Sequence, residues 1–165
     1  MADAPIPTRD ELGAGLRERL APLRDRYPTT EALTIPALHV AQALCGGWLP
    51  EIAIDVVAEE LGLAPARVYG VVTFYDLFHL SPVGRHRLRV CTNLPCMLRG
   101  ADEIMAVLGA ELGVGEGEVT PDGWCSYTHF ECLGSCDTAP MMMLDHEYRE
   151  NLTPEAVRRL LEELD

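Results

Sequence analysis

The chain has 165 residues, 48% hydrophobic and 24% charged, enough for one ordinary domain with an appendage and for a core that needs no staples. Its formal net charge is −13, and all 13 basic residues are arginines. That balance repels phosphate backbones and anionic lipid and so disfavours nucleic-acid and membrane-surface binding. No apolar run is long enough to span a bilayer. Met1 to Asp10 carries no basic stretch followed by an apolar one, so no secretory leader and a reducing cytoplasmic compartment are predicted. In such a compartment six cysteines are free thiols or metal ligands rather than disulfides.

Residues 1–8 read as a mobile tail. From Arg9 to Tyr27, Leu12, Leu16, Leu20 and Leu23 recur at helical spacing, and Pro22 kinks or divides the helix. A second helix is predicted over Pro36–Leu44, with Gly46-Gly47 past its end. A third opens at Pro50 and stops before Gly62, and a fourth runs from Pro65 to about Leu80. Residues 1–80 are thus predicted to be a helical bundle with short connections.

The pattern changes after Ser81-Pro82-Val83-Gly84. Residues 85–91 alternate polar and apolar, as a half-buried strand does. An amphipathic helix over Arg99–Leu112 follows, with Ile104, Val107 and Leu108 inward, then a loop at Gly113–Gly117. Strands are predicted at Trp124–Glu131 and Pro140–Leu144, and a short fourth at Tyr148–Glu150 after a turn. Thr153-Pro154-Glu155 combines an N-cap, a first-position proline and a first-turn acid, so a last helix runs to the C-terminus. Residues 81–165 therefore read as a two-layer α/β domain.

The chemistry concentrates in Cys91-Thr-Asn-Leu-Pro-Cys96 and Cys132-Leu-Gly-Ser-Cys136, two close pairs separated by thirty-five residues, each just after a predicted strand. Two sulfide-bridged irons need four terminal thiolates, two per iron. Two pairs on loops supply them, and loop backbone amides can donate to the sulfurs. Cys91 and Cys96 are expected on one iron, Cys132 and Cys136 on the other, with Leu94, Pro95, Met97, Leu133, Ala139 and Met141 as an apolar surround. Three other readings compete. Structural zinc also takes four cysteines but at tighter C-x2-C spacing. A dithiol enzyme needs C-x-x-C at a helix start, which is absent. Inert buried thiols are the plainest reading, and Cys45 and Cys125, which lack close partners, fit it.

The remaining signals are weaker. Gly113-Val-Gly-Glu-Gly117 carries glutamate where a phosphate loop cannot, so it reads as surface. His39, His79, His86, His129 and His146 form no ligand spacing, and His39 and His79 are expected in a core or interface. Met141–Met143 reads as strand core. Phe74, Tyr75 and Phe78 form either an interface patch or the packing between the two halves of the chain.

Together with Gly47-Trp-Leu-Pro50, Val68-Tyr-Gly-Val-Val-Thr-Phe-Tyr75, Thr120-Pro-Asp-Gly123 and Ala139-Pro-Met141, the two cysteine stretches (Val90–Gly100 and Glu131–Cys136) fall in one order along the chain. In that order the sequence resembles the NuoE-type family of bacterial NADH-quinone oxidoreductase (respiratory complex I) components, a thioredoxin-like [2Fe–2S] ferredoxin family. The resemblance implies a thioredoxin-like C-terminal domain behind a helical extension. It implies one [2Fe–2S] cluster of N1a type on Cys91, Cys96, Cys132 and Cys136, off the main electron path. It also implies a flavoprotein partner that carries FMN and binds NADH, among other peripheral-arm components on the cytoplasmic face of the inner membrane. Equivalent components of NAD-linked hydrogenases and formate dehydrogenases share the pattern. No side chain of this chain is expected to act as acid, base or nucleophile, and the chain alone is not expected to oxidise NADH.

Overall fold

The structure is a computed structural model, and residues 6–164 of it are described here. Most of the predicted tail, residues 1–5, lies outside that range. The chain divides into two compact units, residues 6–82 and 83–164.

The first unit holds four helices. In α1 (Arg9–Leu20), Thr8 caps the amide of Glu11 while the Glu11 carboxylate accepts from the Thr8 amide, a reciprocal box that satisfies two first-turn donors. Leu12, Leu16 and Leu20 are fully buried. Pro22 ends the α-helix, as its missing N–H requires, and residues 21–26 continue as a 3₁₀ turn. The second helix, α2 (Thr34–Leu44), starts two residues before the predicted Pro36. Next come α3 (Glu51–Leu61) and α4 (Pro65–Phe74). Leucine, alanine and valine from all four helices share one core.

The fourth helix does not reach Leu80. It ends at Phe74, and Tyr75 is extended. The reason lies thirty-five residues away, at Gln42, which is buried in α2. Its amide nitrogen donates to the Leu77 carbonyl (3.1 Å) and its oxygen accepts from the His79 amide (2.9 Å). The Leu49 amide then donates to the His79 carbonyl (2.7 Å). Those backbone groups are drawn off to α2 and the α2–α3 link, so they cannot extend the helix.

The second unit is a four-stranded sheet in the order β2-β1-β3-β4. Strand β1 (His86–Cys91) runs parallel to β2 (Cys125–Phe130) and antiparallel to β3 (Met142–Leu144), which pairs with β4 (Glu147–Arg149). The fourth strand starts one residue before the predicted Tyr148, because Asp145 turns the chain with φ +54 and so shortens the hairpin. Between β1 and β2 lie α5 (Leu94–Leu98) and α6 (Ala101–Leu112), and α7 (Pro154–Glu163) closes the unit. Alternation along β1 sends Leu88 and Val90 to one face, where they share a core with Ile104 and Leu108 of α6 and Val157 of α7. Arg87, Arg89 and Cys91 take the opposite face. At Gly84 only glycine fits, since a Cβ there would lie 2.4 Å from the Cys125 carbonyl carbon. No helix of the described residues is long and apolar enough to cross a membrane.

Candidate metal centre

The four paired cysteines sit at the C-terminal ends of the two parallel strands. Cys91 is the last residue of β1, opposite Phe130. Cys96 lies in α5, a short helix where a plain loop was expected. Asn93 starts that helix by accepting the Leu94 amide (2.9 Å), and Pro95 sits in its first turn, where a missing N–H is harmless. Cys132 follows β2, and Cys136 opens a 3₁₀ turn.

The first pair is buried, with Cys91 3% and Cys96 2% exposed, whereas Cys132 and Cys136 are exposed. Both buried thiols are free and belong to the core that also holds Met141. The Cys91 amide donates to the Met141 carbonyl (3.1 Å), so residue 141 braces the first member of the pair. Burial first, then the neighbouring Cys91 thiol, pushes the Cys96 thiol up to about 11. A thiolate at Cys96 therefore needs a cation at the sulfur.

The second pair is held by the residues after β3. Tyr148 of β4 donates its hydroxyl to the Leu133 carbonyl (2.7 Å). Ser135 and Thr138 both donate to one Glu150 carboxylate oxygen (2.5 and 2.7 Å), which lowers the Glu150 carboxyl below the usual range. The Asn151 and Leu152 amides donate to the Thr138 and Pro140 carbonyls (2.8 and 2.9 Å). Gly134 turns the loop with φ +81, a conformation that costs a residue with a Cβ. Tyr148 and Glu150 escape a reading of the sequence, since nothing local ties them to the Cys132–Cys136 loop.

The predicted apolar surround is split. Leu133, Ala139 and Met141 are buried as expected, but Leu94 is 59% and Met97 47% exposed. They lie on the outer side of α5, since Cys96 takes the inner side. Cys45 and Cys125 are buried in separate cores, and burial pushes Cys125 up to about 12. His39 is exposed and stacks at 5.0 Å on Phe78, which is itself buried, so of the two placements expected for His39 the core is ruled out. Phe74 is 77% exposed. His129 pairs with Glu116 of the Gly113–Gly117 loop.

The donor set fits an iron–sulfur centre. Soft thiols lie on two short segments at one end of a sheet, one pair buried and the other open to solvent.

Such an α/β sheet with paired thiols at its strand ends defines a thioredoxin-like redox-metal protein. The sequence model for the thioredoxin-like [2Fe–2S] ferredoxin matches residues 21–165, and the chain belongs to that family. It is 44% identical over 141 residues to the E-type component of NADH-quinone oxidoreductase of Rickettsia bellii, covering 84% of each chain. It is 40% identical over 147 residues to the second E-type component of the Rhizobium meliloti enzyme, covering 89% of this chain and 87% of that one. Among solved structures, an NAD+-reducing [NiFe]-hydrogenase in the H2-reduced state superposes with a TM-score of 0.70 at 20% identity. The match covers 80% of this chain and 22% of the hydrogenase chain, and it shows a shared fold.

Proposed function

We propose that this chain is the [2Fe–2S] electron-transfer component of an NADH-quinone oxidoreductase, with residues 1–80 as a helical domain and 81–165 as the cluster domain. The observation that supports the reading is the placing of two cysteine pairs beyond the same end of the adjacent parallel strands β1 and β2, Cys91 and Cys96 buried and Cys132 and Cys136 exposed. Cys91, Cys96, Cys132 and Cys136 would hold the cluster. When bound, such a cluster takes up and gives back one electron at a time without proton or group transfer. The chain's own part is to displace four thiol protons, keep water from the Cys91–Cys96 side and hold the second loop through Tyr148 and Glu150. No side chain need act as acid, base or nucleophile.

The electrons would come from a flavoprotein partner that binds NADH and carries FMN, in a peripheral arm on the cytoplasmic face of the membrane. The similarity to the E-type components of two NADH-quinone oxidoreductases supports this parent assembly. The fold shared with the hydrogenase supports the diaphorase part of an NAD-linked hydrogenase as the second reading. Co-purification from native cells separates the two by the company the flavoprotein keeps. For the site, each of the four Cys→Ser variants should lose iron and acid-labile sulfide, while Cys45→Ala keeps both. Full iron in any of the four would remove that residue from the ligand set. Saturable NADH binding by the isolated chain would contradict the division of labour.

A further inference from the structure

Among the described residues Arg89 is the only charged side chain that is buried, at 9% exposure, and it makes no ion pair with any of them. One terminal nitrogen donates to the Met143 sulfur (3.0 Å) and to the Asp145 carbonyl (3.1 Å), and the guanidinium carbon lies 5.6 Å from the Phe130 ring centre. Its Nε is buried and has no partner. Burying a cation away from water is costly unless an anion compensates it. Here a thioether, one carbonyl and an aromatic face stand where a carboxylate would be expected.

The neighbouring cysteine site is where a compensating anion could lie. Arg89 and Cys91 are two residues apart on the same face of β1, about 7 Å along the strand. Phe130, against which the guanidinium rests, is the register partner of Cys91. Met143 is the register partner of Arg89, and Tyr148 of Met143, so the same row of side chains ends at the Tyr148 hydroxyl on the Leu133 carbonyl. One side-chain layer thus joins the buried cation to both cysteine segments. The other charges at this layer are Arg87, which adds to the positive field, Asp145, and at the β2 edge Glu116, exposed, whose carboxylate accepts from the hydroxyl of Thr128, the register partner of Arg89 (3.4 Å). The Asp145 carboxylate accepts from the Arg87 amide (2.9 Å) and pairs with His86 (3.0 Å).

We propose that Arg89 is the charge-compensating residue of the redox centre, a fixed buried cation that favours the reduced state. The inference rests on the four-cysteine cluster reading above. Arginine stays protonated over the working pH range, and a buried charge is weakly screened by salt. Reduction adds one electron and so one negative charge, with no bond made or broken. A unit charge about 10 Å away at an effective dielectric of about 20 shifts that equilibrium roughly tenfold, which for one electron is about 59 mV.

The test is a redox titration of the cluster-loaded full chain, followed by the paramagnetic signal of the reduced state. In Arg89→Met the reduced-to-oxidised ratio at the wild-type midpoint should fall about tenfold. Arg89→Lys should stay near wild type, and Arg26→Gln, an exposed charge in the helical unit, should not move the midpoint. An intact signal with an unmoved midpoint in Arg89→Met, or an equal fall in Arg89→Lys, overturns the assignment. Should Arg89→Met not fold, Asp145→Asn removes the opposing charge and must shift the midpoint upward; no shift there also overturns it. Wild-type protein without iron and sulfide would instead defeat the cluster reading.

Discussion

Alkylation of the metal-free chain tests the site at the level of single thiols. Only the thiolate reacts. With its thiol pushed up to about 11, Cys96 is ionised at pH 7.5 roughly 300-fold less than an ordinary cysteine of pKa about 8.5. Its 2% exposure slows it further. Cys132 and Cys136 are exposed and should be modified first. Iodoacetamide time courses read by peptide mass spectrometry give the six rates separately. The Cys96 rate should climb about tenfold per pH unit up to about pH 11, as expected for a neutral thiol well below its pKa. After loading with iron and sulfide, Cys132 and Cys136 should become protected although nothing among the described residues covers them. The reasoning fails if metal-free Cys96 reacts within tenfold of a free thiol, or if loading leaves Cys132 and Cys136 as reactive as before.

Two further substitutions probe what holds each unit together. Gly84→Ala forces the start of β2 to move by about 1 Å and should cost about 1–3 kcal/mol in denaturant unfolding, the usual range for overpacking; a cost below about 0.5 kcal/mol would mean the strand yields freely. Gln42→Leu leaves the Leu77 carbonyl and His79 amide without their partner, and should cost roughly 1–3 kcal/mol, the range for removing the partner of part-buried backbone groups. Amide exchange at His79 and Leu49 should quicken with it; unchanged exchange would show that the segment after α4 holds itself.

The parts of the fold legible in the sequence are those written in local pattern. The leucine spacing of α1, the alternation of β1 and the Thr153-Pro154 start of α7 depend on neighbours within one or two turns. The two cysteine pairs are equally plain, because each pair sits within one short stretch of sequence. What the sequence hid depends on distant partners. The end of α4 is set by Gln42 from another helix. A five-residue helix around Cys96 is too short to show a period. Leu94 and Met97 look like cluster-facing apolar residues until that helix turns them outward. Tyr148 and Glu150 act on the Cys132–Cys136 loop only once the β3–β4 hairpin folds back.

The acidity of the chain at first suggests a centre that resists reduction, since negative charge opposes an incoming electron. Position decides otherwise. Glu131 and Asp137, next in sequence to Cys132 and Cys136, are exposed, so water and salt screen them over a Debye length of about 8–10 Å. Arg89 has no such screen, and it shares a strand face with Cys91. The effective dielectric around a buried charge is several-fold below that of water, so one interior cation outweighs several surface carboxylates at comparable range. The midpoint should therefore respond little to ionic strength. It should respond clearly to Arg89→Met. A steep salt dependence together with an inert Arg89 would assign control of the potential to the surface instead.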